Sequence, residues 1–176
     1  MRLYRFSPIR DQKALMRAVR HVHFACHELC KQSFGEYLPV TGTIGVFCHY
    51  DDEYKHLTNL RQSLTDPSDN WNQKYFRLYQ PITISAKGDV PEATYTYLYI
   101  RHPDPYRFQV GDVDFYLPPG QYDQAKELLK TGQTLKGARI YPGDMDMIEL
   151  YNPDVDCCAY ILNKTMTQRN KEQESV

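Results

Sequence analysis

The clearest alternation of apolar and polar positions lies between Gly111 and Leu162. Short apolar runs rich in β-branched and aromatic residues predict strands, and apolar residues spaced three and four apart predict a helix. The predicted order is one strand, one helix and three strands, over residues 111–117, 121–131, 137–141, 145–151 and 156–162. This stretch is therefore predicted to be a βαβββ unit.

The first hundred residues follow a similar order. An amphipathic helix is predicted at 12–34, because apolar residues recur along one of its faces, with Asp11 as the N-cap and Gly35 at the end. The other predicted elements are a strand at 2–6, a strand at 43–49, a helix at 52–64, a strand at 74–85 broken near Pro81, and a strand at 93–101. We interpret the helix at 52–64 as an insertion into a second βαβββ pattern.

A segment with two prolines, His102-Pro103-Asp104-Pro105, separates these two stretches. Proline cannot donate a ladder hydrogen bond, so the segment is predicted to connect two halves. We expect a first half at 1–102, a second half at 103–163 and a polar, disordered tail at 164–176. The predicted fold class is α+β, with two βαβββ-like halves around a mixed, curved sheet.

Composition argues against several classes of function. The 176 residues carry a net charge of -1 and a pI of about 6.6, so no bulk charge favours nucleic acid or an anionic membrane as a partner. No apolar run approaches the roughly 20 residues of a membrane helix. The N-terminal residues lack the apolar region of a secretory signal, and the cysteines number five, so we expect a cytoplasmic protein with reduced thiols.

Three stretches of the second half carry a family resemblance: the strand Asp112–Leu117, the helix end Glu127–Gly132 and the turn Asn152-Pro153-Asp154. Through them this half resembles a βαβββ module of the vicinal oxygen chelate superfamily, which includes glyoxalase I, the bleomycin resistance proteins and the extradiol dioxygenases. The first half matches only in the order of its elements. The resemblance implies a sheet that curves into a cup.

Enzymes of this superfamily take metal ligands from the first strand of a module, commonly His, and from the last strand, commonly Glu. The corresponding positions here are Asp112 or Asp114, and Cys158, Ala159 or Tyr160. Aspartate binds hard cations, but the last strand lacks its carboxylate. The resemblance therefore implies a metal-free protein that binds or sequesters a small ligand in its cup.

Tyrosine is frequent, with 15 residues, and three tyrosines alternate along the strand at 93–101. Alternation predicts that they share one face, where their rings and hydroxyls suit the wall of a ligand cup. The predicted ligand-binding residues are Tyr95, Tyr97, Tyr99, His102, Arg107 and Tyr116. The same surface would also suit a protein-interaction module or a homodimer interface, and the sequence leaves that alternative open.

Two groups of residues are candidate metal ligands. His23, His27 and Cys30 recur at helical spacing on one face, and imidazole and thiolate suit zinc or another transition metal. A hard divalent cation would instead take Asp112, Asp114 or Glu149, which gives the alternative of a metal-dependent lyase or dioxygenase.

No pattern in the sequence identifies a catalytic residue, so whether the chain is an enzyme stays open. The leading hypothesis needs no cofactor and expects a small molecule as the partner, with no nucleic acid and no membrane.

Overall fold

The computed structural model describes residues 4–132 and 135–174, with side chains through residue 170. The helices are α1 Gln12–Phe34, α2 Asp51–Gln62, α3 Pro119–Lys130 and α4 Met166–Glu174. The strands are β1 Val40–Phe47, β2 Tyr75–Ile84, β3 Ala93–Arg101, β4 Gly111–Tyr116, β5 Ala138–Ile140, β6 Ile148–Leu150 and β7 Cys158–Leu162.

All seven strands belong to one sheet, in the order β2-β3-β1-β4-β7-β6-β5. β1 pairs with β3 in parallel and with β4 antiparallel, and β4 pairs with β7 in parallel. The predicted α+β class with a mixed, curved sheet is confirmed.

α1 begins and ends as predicted. Oδ1 of Asp11 accepts a hydrogen bond from the backbone N–H of Ala14 at 2.7 Å, which satisfies a donor that the first helical turn leaves free. Gly35 ends the helix in the left-handed region with φ 75°, and its N–H donates to the carbonyl of Lys31 at 2.9 Å. The apolar face of α1 packs on β4, β1, β7 and β6, so this helix covers the middle of the sheet.

The second half has the predicted element order, β4-α3-β5-β6-β7. Its first and last strands lie side by side in parallel, and α3 follows β4 as expected. β5 and β6 are shorter than predicted, with three residues each. They are short because residues 142–146 between them are exposed and leave the sheet as a loop.

The first half differs from its predicted order. Residues 4–9 form no strand, and residues 1–3 lie outside the described residues. The segment is held by side chains instead: Ser7 Oγ lies 2.7 Å from Nδ1 of His49, and the N–H of Ile9 donates to Oε1 of Glu53 at 2.8 Å. The order is therefore β1-α2-β2-β3, in which α2 stands between the parallel strands β1 and β3 as α3 stands between β4 and β7. α1 is the additional helix, and α2 is not the insertion that the sequence predicted.

β2 and β3 pair irregularly. Arg77 pairs with Tyr97, whereas the next register pair is Ile82 with Tyr95. The shift surrounds Pro81, which has no N–H to donate to the ladder. On its other side, β2 meets the segment at 64–66: Asp66 N–H donates to the Arg77 carbonyl at 2.8 Å, and Tyr79 N–H donates to the Leu64 carbonyl at 3.0 Å.

The tail predicted to be disordered forms α4 over residues 166–174. Thr165 and Gln168 cap the helix reciprocally, since each backbone N–H donates to the other side chain, at 2.8 and 3.3 Å. Met166 is buried and anchors the helix to the rest of the chain. None of the helices in the described residues has the length and apolar character needed to cross a membrane.

The sheet has two faces of different character. On the face that α1 covers, residues such as Leu98 and Val113 are fully buried and belong to the main hydrophobic core. The opposite face is crossed by a row of paired residues on four neighbouring strands: Tyr99, Gly45, Asp112 and Cys158. We call this opposite face the cup. α4 lies on it.

Candidate functional site

A cavity of about 180 Å³ opens on the cup. That volume is below the roughly 300 Å³ at which pockets for drug-sized ligands begin, so it suits a small molecule. Its walls combine acidic, basic and aromatic side chains, among them Asp112, Asp114, Arg101, Arg107, Arg169, Phe47, Tyr75, Tyr99 and Tyr160.

Asp112 and Asp114 form the floor of this cavity. They alternate along β4 and so project from the same face. Asp112 pairs across the sheet with Gly45, and a Cβ atom at position 45 would lie 1.9 Å from Oδ1 of Asp112. Gly45 therefore provides the space that the Asp112 carboxyl group occupies.

The two carboxyl groups hold their protons unusually tightly. Burial raises the pKa of Asp114 to about 7, against the opposing effect of the Arg169 charge. Burial also raises the pKa of Asp112 well above its usual range, and the negative charge of Asp114 adds to the rise. Both shifts favour the protonated carboxyl form, which donates a hydrogen bond as well as accepting one.

Three arginines bring positive charge to the cavity. The Arg101 guanidinium bonds Oδ2 of Asp104 at 3.1 Å and lies 4.8 Å from the centre of the Phe47 ring. Arg169 reaches the cavity from α4 and lies 5.3 Å from the centre of the Tyr75 ring. The cup therefore places a cationic wall above an acidic floor.

Arg107, the third arginine, forms an ion pair with a buried carboxylate. Nη1 of Arg107 lies 3.6 Å from Oε1 of Glu149, and Nε of Arg139 lies 2.6 Å from Oε2 of the same residue. Both oxygens of Glu149 are thereby engaged by cations. Glu149 therefore faces two cations, whose charges oppose the binding of a metal ion beside it.

The three tyrosines that were predicted to share one face of β3 do not all lie on the same face of the sheet. Tyr99 lines the cavity, and the Tyr97 hydroxyl is hydrogen-bonded to the Asn170 side chain of α4. Tyr95 lies on the helix side, fully buried, with its hydroxyl 2.8 Å from Nδ1 of His23. The register shift between Tyr95 and Tyr97 separates them, and simple alternation could not predict it.

Of the other three predicted ligand-binding residues, one lines the cavity and two do not. Arg107 lines the cavity. His102 lies outside it, with its ring tilted by 35° against the ring of Tyr54 and the ring centres 4.0 Å apart. Tyr116 ends β4 and does not line the cavity. The structure therefore brings Tyr99 and Arg107 together with Asp112 and Asp114.

The candidate metal ligands on α1, His23, His27 and Cys30, form hydrogen bonds within the protein instead. Nδ1 of His27 lies 2.7 Å from the carbonyl of His23, and Sγ of Cys30 accepts from the N–H of Leu38 at 3.5 Å. Burial lowers the pKa of His23 to about 4 and raises that of Cys30 to about 11, so imidazole and thiol stay neutral. These side chains serve the packing of α1.

Neither predicted ligand set gathers at coordination distance. In the part of the chain that the structure describes, one group of three His, Cys, Asp or Glu residues has all its ligand atoms within 4.8 Å of one another: His21, Asp156 and Cys157. It lies where α1 meets the start of β7, away from the cup.

The sequence singled out Asp112 and Asp114 as candidate metal ligands, but it did not predict that they would line a cavity, and it missed part of the wall. The alternation of Asp112 and Asp114 signals that they share a face. Arg169 had no such signal, because the polar tail gave no reason to place α4 on the cup. The role of Gly45 depends on its partner across the sheet, which only the strand pairing reveals.

Comparison with known proteins identifies a fold relative and no family. No family model and no curated protein matches the chain. A solved structure described as a structural-genomics protein, EC4020, aligns over 98% of both chains with a TM-score of 0.62 and 14% sequence identity. At that identity the likeness shows a shared fold and nothing about function.

Two further structures are variants of Streptomyces coelicolor methylmalonyl-CoA epimerase in complex with 2-nitronate-propionyl-CoA. Their sequence identities are 16% and 17%, and each alignment covers 70% of this chain and 97% of the epimerase. Their TM-scores of 0.31 and 0.29 are too low to support a conclusion. Membership of the vicinal oxygen chelate superfamily stays a prediction.

Proposed function

We propose that the chain binds a small polar molecule in the cup, without a catalytic metal. The observation that carries this proposal is the pair of carboxyl groups, Asp112 and Asp114, on the floor of the cavity. Among the described residues, no side chain donates a hydrogen bond to either group, and their oxygens are not sealed from the cavity. Buried carboxyl groups without partners cost free energy, which a ligand bearing donors would offset.

The walls define the chemistry of the ligand. Donor groups such as an ammonium, amide or hydroxyl match the acidic floor. An anionic or acceptor group matches the arginines, of which Arg169 makes no ion pair with a carboxylate within the described residues. The aromatic rings of Tyr99 and Tyr75 would cover the carbon skeleton between the two ends. A compact zwitterion or hydroxy acid fits this description.

A thermal-shift screen of small polar metabolites, followed by calorimetric titration of the hits, tests the proposal. The Asp114→Asn variant is expected to bind a hit about 10-fold to 100-fold more weakly, since hydrogen bonds to charged groups contribute about 1.5–3 kcal/mol. Asp144→Asn is the matched control, because Asp144 is exposed on the loop between β5 and β6. A hit that binds wild type and Asp114→Asn equally would contradict a site in the cup.

The metal-dependent alternative makes a different prediction. Its expected ligands include Glu149, which both neighbouring arginines already engage, and the arginines around the floor would repel a cation. Elemental analysis of the purified protein separates the two hypotheses. A stoichiometric metal that is lost in both Asp112→Asn and Asp114→Asn would favour the lyase or dioxygenase.

A further inference from the structure

The strongest unassigned group of side chains lies at the other side of the sheet, outside the cup. Nε2 of His21 lies 2.6 Å from Oδ1 of Asp156, and Sγ of Cys157 lies 4.0 Å from the same oxygen. One nitrogen, one oxygen and one sulfur thus meet within 4.8 Å. Nitrogen, oxygen and sulfur ligands in a group of this size are typical of zinc.

The distances suit coordination after a small adjustment. Zinc bonds of about 2.0–2.3 Å in a tetrahedron place ligand atoms roughly 3.3–3.8 Å apart. The His21 and Asp156 atoms would separate by about 1 Å as a metal replaces the proton between them, whereas the sulfur lies within reach. From this geometry we infer that His21, Asp156 and Cys157 form a three-ligand site for Zn²⁺, with the fourth position open to water.

The backbone holds these ligands in place. The N–H of Val110 donates to the carbonyl of Asp156 at 2.7 Å, and the thiol of Cys26 donates to the carbonyl of Cys158 at 3.2 Å. The segment at 156–158 is therefore fixed before any metal binds. Cys26 does not belong to the group whose ligand atoms all lie within 4.8 Å of one another.

The N-terminal segment supplies the outer contacts of the site. Nε of Arg5 lies 2.6 Å from Oδ2 of Asp156, so Oδ1 is the oxygen that faces His21. The ring of Phe6 lies 5.3 Å from that of His21, and Phe6 adopts φ 67°, a strained conformation for a residue with a side chain. Contacts that orient the ligands are a regular part of metal sites.

The three ligands differ in their exposure to solvent. The side chains of His21 and Asp156 are 25% and 22% exposed, whereas Cys157 is 1% exposed. A metal can thus enter past the imidazole and carboxylate and meet a shielded sulfur.

Cobalt substitution tests this site. Metal-free protein titrated with Co²⁺ is expected to take up one equivalent and to show thiolate-to-cobalt charge-transfer absorption together with the visible bands of tetrahedral cobalt. Added Zn²⁺ should remove both. The Cys157→Ser variant is expected to lose the charge-transfer band and to bind at least about 100-fold more weakly, and His21→Gln at least about 10-fold more weakly.

Two controls separate this site from the others. Cys30→Ser removes a buried thiol from the helical candidate set, and Asp114→Asn changes the cup. Both should bind Co²⁺ as wild type does. Circular dichroism checks that each variant folds. If Cys157→Ser does not fold, His21→Gln decides the test, because His21 is partly exposed and its replacement is expected to leave the fold intact. No cobalt spectrum in wild type, a charge-transfer band kept in Cys157→Ser, or unchanged affinity in His21→Gln would overturn the inference.

Discussion

At the scale of single residues, the cup depends on one missing side chain. Gly45 has no Cβ, and the Asp112 carboxyl group occupies the space where that atom would be. A side chain at position 45 and a carboxyl group at position 112 exclude each other. The acidic floor of the cavity therefore requires glycine on the neighbouring strand.

Gly45→Ala is expected to destabilise the protein by about 1–3 kcal/mol, because the new methyl group would meet Oδ1 of Asp112 and force it aside. Thermal or urea unfolding measures the change. Gly120→Ala is the control, since a Cβ there meets nothing within 4 Å and alanine favours the helix α3. In an Asp112→Ala background the cost of Gly45→Ala should shrink. Equal stabilities of the Gly45→Ala and Gly120→Ala variants would contradict the clash.

Asp114 should make stability depend on pH. Its folded-state pKa of about 7 exceeds the usual value of 3.8. The folded state thus binds the proton more tightly, and this contribution to stability is complete below pH 3.8 and is lost as pH rises through 7. Asp114→Asn is expected to match wild type near pH 4 and to be more stable at pH 8, by about 4 kcal/mol at most.

Urea unfolding of both proteins across this pH range measures the effect. A difference between variant and wild type that stays constant from pH 4 to pH 8 would contradict it. Because the same substitution is expected to weaken ligand binding about 10-fold to 100-fold, we expect Asp114 to lower the stability of the protein at pH 8 while it contributes to binding.

At the scale of elements, sequence patterns predicted what local rules control. The span of α1 follows from its apolar spacing, with a cap at Asp11 and a left-handed end at Gly35. β3 occupies its predicted range because alternation and flanking prolines define it. The division of Tyr95 from Tyr97 could not be predicted, since it depends on pairing with β2 around Pro81.

α4 was missed for a physical reason. A strongly polar segment shows no apolar stripe, and its described anchor in the core is the single residue Met166. The wall that Arg169 adds to the candidate site was therefore also beyond sequence reasoning. By contrast, alternation along β4 is enough to place Asp112 and Asp114 on one face, although not to show that this face lines a cavity.

Removal of residues 165–176 is expected to open the cup and to lower the melting temperature by several degrees. Burial of Met166 contributes about 1.5–3 kcal/mol, and 1 kcal/mol corresponds to about 2–4 °C in a chain of this size. Differential scanning calorimetry measures the shift. Met166→Ala removes the anchor alone, and Arg169→Gln removes the charge alone and should raise the pKa of Asp114 further. Unchanged melting of the truncated chain would mean that α4 contributes nothing.

At the scale of the whole molecule, two parallel strand pairs meet at one antiparallel pair, β1 with β4. This arrangement gives the sheet one continuous cup, so the cavity draws side chains from both halves. EC4020 shares this fold at 14% identity, so sequences that differ at most positions can adopt it.

The interaction-module hypothesis has a specific consequence at this scale. α4 contacts Tyr97, and Tyr99 lines the cavity, so self-association through these tyrosines requires α4 to leave. We expect the full chain to have the 20.7 kDa mass of a monomer in light scattering, and the chain without residues 165–176 to be the form that associates. Substitutions Tyr97→Ala and Tyr99→Ala should reverse that association. A full-length dimer insensitive to both would rule out this surface as the interface.

The two edge strands of the sheet also affect the tendency of the protein to aggregate at high concentration. β5 offers only three residues at one margin. At the other, β2 is bonded to the segment at 64–66 and contains Pro81, which has no N–H. Unpaired margins are where a foreign strand adds and aggregation begins. Because one margin is short and the other is paired over residues 77–79 and then interrupted by Pro81, we infer that the protein resists fibril-like growth at high concentration.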